Sequence, residues 1–90
     1  MEEIKIGVVG LGYVGLPLAR LFATKYAVVG FDLKKERIEA LNRGIDRTLE
    51  VSEEVMKSVL RPSVPKRGEK GSYCSCDPED LRDCNYYIIT

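Results

Sequence analysis

The sequence has no excess of charge of either sign, because 14 Lys and Arg residues balance 14 Asp and Glu residues in a chain of 90. A neutral chain has no basic field that would attract nucleic acid or an anionic membrane, so neither is an expected partner. The sequence also lacks an apolar run near the ~20 residues that a membrane-spanning helix needs. The N-terminus, MEEIKI, is acidic where a secretory signal would be basic, so we expect a cytoplasmic protein.

Histidine is absent and cysteine is scarce, with three residues at irregular spacing. An odd and irregular set does not predict a disulfide framework. Cys74 and Cys76 form a C-x-C pair, but without histidine or a second pair at ligand spacing they do not predict a metal site. We predict that Cys74, Cys76 and Cys84 are small buried packing residues, and we assign no metal ligand and no catalytic residue.

Short apolar runs alternate with helical patterns along the chain. Strands are predicted at 4–10, 27–32, 72–75 and 85–90. Helices are predicted at 13–25, 34–44, 52–60 and, as a short turn, 77–83. This alternation predicts an α/β fold with a parallel sheet. We expect residues 1–90 to be part of one domain of marginal stability, because so short a chain buries a small fraction of its surface.

The helical patterns also predict which side chains are buried. The first helix is expected to bury Val14, Leu18, Leu21 and Phe22. The second would turn Ile38 and Leu41 inward and stop at Gly44. The polar, basic segment 61–71 is interpreted as a solvated connector, with phosphate contact as the alternative.

Three glycines follow the first predicted strand in the pattern G-x-G-x-x-G, at Gly10, Gly12 and Gly15. The pattern alone is weak. Here a strand precedes it, a helix follows it and a second strand ends in an acid, which is the setting of a dinucleotide-binding turn. Gly10 would permit the turn, Gly12 would let a pyrophosphate approach, and Gly15 would let the helix pack closely. The N–H groups of Tyr13 and Val14 would donate to the phosphates, whereas a plain bend is the alternative.

Asp32 lies 22 residues after Gly10, at the end of the second predicted strand. A carboxylate there can accept hydrogen bonds from both ribose hydroxyls and would repel a 2′-phosphate, so the predicted cofactor is NAD rather than NADP. Lys34 and Lys35 weaken that preference, because a cation can tolerate the phosphate. The alternative role for Asp32 is the N-cap of the following helix, and the two roles are compatible.

The segments GLGYVGLPLA and VVGFDLKKERIEALNRG resemble the N-terminal part of the UDP-glucose/GDP-mannose dehydrogenase family over nearly the whole chain. Tyr13, Val14, Leu16 and Pro17 make the resemblance more specific than the glycines alone. Within the family, NRGIDRTLEVSEE and DCNYYIIT look most like the branch that oxidises UDP-N-acetylhexosamines for capsule and O-antigen polysaccharides. The resemblance implies a partial Rossmann-type parallel sheet of about four strands in the order 3-2-1-4, with helices on both faces.

The family oxidises C6 of a nucleotide sugar from alcohol to carboxylate in two hydride transfers that use two NAD. The cofactor-binding residues that the resemblance implies are Gly10, Gly12, Tyr13, Val14, Gly15, Asp32 and Arg37. The glycine segment would hold the pyrophosphate and Asp32 the ribose. Arg37 would lie beside the adenosine, and an exposed helix charge is the alternative for that residue.

The family's catalytic cysteine, lysine and polar partner would lie far beyond Thr90, and none of the three cysteines matches that position. We therefore expect the chain alone to be inactive, with the UDP-sugar bound only by the full-length enzyme. The last strand would form an unprotected sheet edge, so we also expect self-association as a homo-oligomer. A regulatory nucleotide-binding module and a different NAD-dependent dehydrogenase, such as a 3-hydroxyacid dehydrogenase, are the alternative functions.

Overall fold

The computed structural model describes residues 3–45 and 52–90. Within these residues the strands are β1 Lys5–Val9, β2 Ala27–Phe31, β3 Gly71–Ser75 and β4 Tyr86–Ile89. The helices are α1 Gly15–Ala23, α2 Lys35–Asn42, α3 Glu53–Val59 and a 3₁₀ turn Pro78–Leu81. The strands form one parallel sheet in the order β3-β2-β1-β4. The predicted α/β fold, element order and strand order are confirmed.

One face of the sheet forms the main core with the three α-helices. Ile6 of β1 lies opposite Val28 of β2 in the sheet register. Both belong to a buried cluster that includes Leu16 of α1, Leu41 of α2 and Met56 of α3. Each buried side chain of this size contributes about 1.5–3 kcal/mol relative to exposure, so this layer is the principal source of stability.

The opposite face of β1 is covered by the chain between β3 and β4. A Cβ at Gly7 would lie 2.9 Å from Leu81 and 3.4 Å from the sulfur of Cys84. The order β3-β2-β1-β4 means that β1 to β3 are added in one direction and β4 in the other, so right-handed crossovers place their connections on opposite faces. Helices therefore cover both faces as predicted, with only the 3₁₀ turn on the second face of the described sheet.

The buried face of α1 differs from the predicted one. Val14 and Leu21 are 63% and 55% exposed, and Leu18 and Phe22 are only partly buried. The residues that α1 buries are Gly15, Leu16, Ala19 and Ala23. The prediction was wrong because α1 begins at Gly15, after the turn, and packs so closely on β1 and β2 that mainly small side chains fit between them.

The predictions for α2 and α3 are confirmed. Ile38 and Leu41 are buried, and Gly44 follows the end of α2 with φ +85°. Ser52 is the N-cap of α3, because its hydroxyl oxygen accepts the N–H of Val55 at 3.3 Å. Across residues 3–45 and 52–90, none of these helices has the length and apolar character to cross a bilayer.

The segment between α3 and β3 is attached to the sheet. The N–H of Arg61 donates to the Ser72 carbonyl at 2.9 Å, and the Arg61 guanidinium lies 3.0 Å from Glu69. Further along, Arg67 Nε donates to the Asp83 carbonyl at 3.1 Å. Because these basic side chains bind groups of the protein itself, the structure favours the connector over the phosphate-binding alternative.

Two of the three cysteines are buried as predicted. Cys74 and Cys84 lie in the interior, whereas Cys76 is exposed just after β3, so the prediction is wrong for that residue. Burial raises the pKa of the Cys74 thiol to about 12, and burial also raises the pKa of Cys84. Neither buried thiol forms a nucleophilic thiolate near neutral pH, which agrees with a packing role.

β4 lies at one edge of the described sheet and is poorly covered. Tyr86, Tyr87 and Ile89 are exposed large hydrophobic residues, and Ile89 reaches 80% exposure. Ile88, between them, packs against the core cluster. The strand thus has the exposed apolar edge that the sequence predicts.

Candidate functional site

β1 ends in a tight turn that leads directly into α1. Gly10 has φ +96°, an angle that residues with a Cβ rarely adopt. Its N–H donates to the Phe31 carbonyl at 2.8 Å. A Cβ at Gly15 would lie 1.7 Å from the Gly10 carbonyl oxygen, a distance that no side chain tolerates. Both glycines therefore have the backbone roles expected from the sequence: Gly10 permits the turn, and Gly15 permits the close packing of α1.

Gly12 has no comparable steric reason in the described structure. Its φ is not positive, and a Cβ there would meet nothing within 4 Å. Among residues 3–45 and 52–90, the N–H groups of Gly12, Tyr13 and Val14 have no hydrogen-bond acceptor. Open space beside these N–H groups, at the N-terminus of α1, fits an anion such as a pyrophosphate.

Leu11, between the first two glycines, is fixed by residues of β2 and α2. Its N–H donates to Asp32 Oδ2 at 3.0 Å, and its carbonyl accepts from Arg37 Nε at 2.7 Å. The Nη2 group of Arg37 donates to the same oxygen. The Leu11 side chain is fully buried in the core cluster. The turn after β1 is therefore held from three directions before any ligand binds.

Asp32 follows the end of β2, and both of its carboxylate oxygens accept hydrogen bonds from backbone N–H groups. Besides the Leu11 contact, Oδ1 accepts the Lys34 N–H at 3.0 Å. Lys34 is itself the N-cap residue of α2 and no side chain caps that helix, so the N-cap alternative for Asp32 is wrong. Asp32 instead closes the turn before α2. Each oxygen still has capacity for one more donor, such as a ribose hydroxyl.

The pKa of Asp32 lies below its ordinary value of 3.8. Partial burial alone would raise it, but the N–H groups of Lys34 and Leu11 and the positive charges of Arg37 and Lys34 together outweigh burial. The carboxylate is therefore ionised at neutral pH, as an acceptor for hydroxyl groups must be.

Arg37 contacts the turn, so it is not the exposed helix charge that was its alternative, and the adenosine contact implied by the resemblance stays a prediction. Its hydrogen bonds to Leu11 make it part of the turn. It also borders a cavity of about 420 Å³ at the start of α2, whose lining includes Lys34, Lys35, Glu36, Arg37 and Ala40. Small-molecule sites span roughly 300–1,000 Å³, so this cavity has the size for an adenosine group.

Sequence reasoning missed one contact of the turn. The Thr90 hydroxyl, just after β4, donates to the Gly10 carbonyl at 2.8 Å across a sequence separation of 80 residues. No spacing pattern indicates such a pair. The only available signal was the strand order, since β1 and β4 are neighbours and parallel strands bring their carboxyl ends together.

The glycine geometry predicts a large effect on stability for one substitution and almost none for a similar one. Gly15→Ala should lower the free energy of unfolding by about 3 kcal/mol, because its Cβ overlaps the Gly10 carbonyl. Gly12→Ala should change it by no more than about 0.5 kcal/mol, because its Cβ enters open space. Urea denaturation of both variants measures the difference. Equal losses would contradict the geometry.

The lowered pKa of Asp32 predicts a pH-dependent contribution to stability. Because the folded-state pKa is depressed, this contribution is complete above 3.8 and is lost as the pH falls through the folded-state value. The stability difference between the wild-type chain and Asp32→Asn should therefore shrink on acidification from about pH 6 to pH 3. Urea denaturation at both pH values measures it, with Glu39→Gln as an exposed carboxylate control on α2. A difference that grows on acidification would oppose this account.

The comparisons with known proteins agree with this geometry. The model of the UDP-glucose/GDP-mannose dehydrogenase family, NAD binding domain, matches residues 4–70. A UDP-N-acetyl-D-glucosamine 6-dehydrogenase of Pseudomonas aeruginosa is 43% identical over 100% of the chain and 19% of its own length. Protein CapL of Staphylococcus aureus is 53% identical over 93% of the chain and 17% of its own length.

A solved structure extends the likeness to the fold. The UDP-D-ManNAc dehydrogenase of Pyrococcus horikoshii superposes with a TM-score of 0.82 at 35% identity, over 97% of this chain and 20% of its own. The chain thus spans about a fifth of the length of the relatives it matches. The family match runs from β1 through the turn, α1 and β2 to α2, a stretch that contains every site residue predicted from the sequence. The chain belongs to the NAD-binding domain of the UDP-glucose/GDP-mannose dehydrogenase family, for which NAD is the cofactor.

Proposed function

We propose that this chain binds the pyrophosphate of NAD at the turn between β1 and α1. The residues proposed to contact it are Gly10, Gly12, Tyr13, Val14 and Gly15. The observation that carries the proposal is the open space at Gly12, where a Cβ would meet no atom of the described residues within 4 Å. The neighbouring N–H groups, at the positive end of the α1 dipole, supply the donors.

Asp32 is proposed to bind the adenosine ribose. Its two oxygens each accept one backbone N–H and retain a lone pair, so both ribose hydroxyls have an acceptor. The cavity at the start of α2 lies next to Asp32 in sequence and would receive the adenine, with Arg37 at its border. An ionised carboxylate at this position would repel the 2′-phosphate of NADP.

The activity proposed for the enzyme follows from the relatives. Three of the most similar proteins are named as dehydrogenases of UDP-N-acetylglucosamine or UDP-N-acetylmannosamine. We propose oxidation of the C6 alcohol of a UDP-N-acetylhexosamine to a carboxylate, with reduction of two NAD, for polysaccharide precursors in the cytoplasm. Of that reaction, the described residues would hold NAD and orient it, and none of them is proposed to be catalytic.

Cofactor selectivity tests the binding proposal. We expect calorimetric titration to give NAD a dissociation constant at least about tenfold lower than that of NADP, equivalent to about 1.4 kcal/mol. Asp32→Asn should weaken NAD binding and bring the dissociation constants of NAD and NADP closer together, because it removes the negative charge and one acceptor oxygen. Glu39→Gln, on the exposed side of α2, should change neither constant. Tighter binding of NADP, or no binding of NAD at millimolar concentration, would exclude the proposed role of Asp32.

We also propose that the chain self-associates through β4. Exposed strand edges can pair with one another, and the exposed residues of β4 are apolar, so no charge on this strand opposes such pairing. Sedimentation velocity should show an average mass that rises with concentration. Ile89→Lys should reduce this rise, whereas Leu21→Lys, an equivalent change on the exposed side of α1, should not. A concentration-independent monomer would rule out this proposal.

A further inference from the structure

Two donors of Arg37 converge on one carbonyl oxygen of the turn. Nε lies 2.7 Å from the Leu11 oxygen, and Nη2 donates to the same atom. The pair joins α2 to the turn across 26 residues of sequence, and the guanidinium is partly buried. A charged, planar donor of this kind holds its acceptor more rigidly than a neutral hydrogen bond does.

The Leu11 carbonyl belongs to the same peptide unit as the Gly12 N–H. Because that unit is planar and trans, its C=O and N–H bonds point in opposite directions. Holding the oxygen toward Arg37 therefore directs the Gly12 N–H away from α2. That N–H has no acceptor in the described residues, and the space beside Gly12 is open. A positive charge at the oxygen also polarises the peptide, which strengthens the N–H as a donor.

The preceding peptide unit is fixed in the same manner. Its carbonyl, on Gly10, accepts the Thr90 hydroxyl at 2.8 Å, and its N–H, on Leu11, donates to Asp32 at 3.0 Å. Two consecutive peptide units thus have three of their four polar groups bonded to the protein. The Gly12 N–H is the fourth, and it is the first of the donors presented to the space at α1.

We propose that Arg37 is a positioning residue for the pyrophosphate, acting through the Leu11–Gly12 peptide rather than by binding adenosine. The proposal rests on the proposed NAD site. In this proposal Arg37 only borders the cavity, and it contributes to the affinity for NAD through its hydrogen bonds with Leu11. It differs from a purely structural role because its effect depends on whether the ligand carries phosphates.

The test compares ligands that share adenosine and differ in phosphate. NAD, ADP and adenosine are titrated into the ¹⁵N-labelled chain, with amide chemical shifts as the readout. Arg37→Met keeps the aliphatic part of the side chain but removes the guanidinium. We expect its dissociation constants for NAD and ADP to rise at least fivefold while that for adenosine changes less than twofold. Arg37→Lys, which restores one charged donor, should recover part of the loss, and Arg43→Met on the same helix is the matched control.

A second readout needs no ligand. Hydrogen exchange of the Leu11 amide should quicken at least tenfold in Arg37→Met, relative to amides in β1 and β2, because the turn loses one of its anchors. The same exchange in Arg43→Met should equal that of the wild-type chain. This comparison also separates local loosening from global unfolding, which would quicken all three segments together.

The outcomes are distinguishable. Equal weakening of NAD, ADP and adenosine would make Arg37 an adenosine ligand and overturn the proposal, as would unchanged binding of all three. If the wild-type chain bound none of them, the proposed NAD site would fail. The exchange of Leu11 would still show whether Arg37 anchors the turn, which the positioning role requires, so an unchanged rate in Arg37→Met would overturn the proposal on its own.

Discussion

The close approach between the Gly10 carbonyl and the first residue of α1 is the constraint on which the rest of the structure depends. A side chain at Gly15 would overlap that oxygen, so the helix axis can reach this position only because the residue has no Cβ. Once it does, α1 lies against β1 and β2 at a separation that admits Ala19 and Ala23. The same contact places the helix N-terminus directly beyond the strand, with its free N–H groups facing the open end. Core packing and the presence of these N–H groups, unbonded within the described residues, at the end of the strand are thus two consequences of one steric condition.

A neutral chain that binds an anion must supply a local positive potential, and here it does so largely with backbone dipoles. The ionised carboxylate of Asp32 close to that site would work against a pyrophosphate. Two features reduce this opposition, because backbone N–H groups of Leu11 and Lys34 solvate the carboxylate and Arg37 lies nearby. The acid is thereby kept charged, as the proposed ribose contact requires, while its field toward the turn is partly offset. Asp32 and Arg37 act on the two sides of the same residue, Leu11.

The resemblance to the family supplied the strand order. Sequence patterns predicted the elements and the backbone roles of Gly10 and Gly15, because each of these follows from local chain geometry. They failed for the buried face of α1. Periodicity selects the largest apolar residues, such as Leu21, whereas the actual choice depends on how closely two backbones approach. They also failed for Cys76, because a two-residue step along a strand keeps a side chain on the same face only until the strand ends. The contacts of Arg37 and Thr90 with the turn could not be predicted, since each joins residues distant in sequence.

The strand order gives the turn its location as well as its neighbours. In the order β3-β2-β1-β4, the direction of strand addition reverses between β1 and β4, and ligands of open α/β sheets bind in the crevice outside the carboxyl ends at such a point. Thr90, which leaves β4 there, reaches Gly10, which leaves β1. This hydrogen bond joins the carboxyl ends of β1 and β4 at the turn that leads into α1. The strand order thus places the glycine turn at the carboxyl ends of β1 and β4. The contacts from the ends of β2 and β4 and from α2 hold the turn in the conformation that leaves the N–H groups of Gly12, Tyr13 and Val14 unbonded within the described part of the chain.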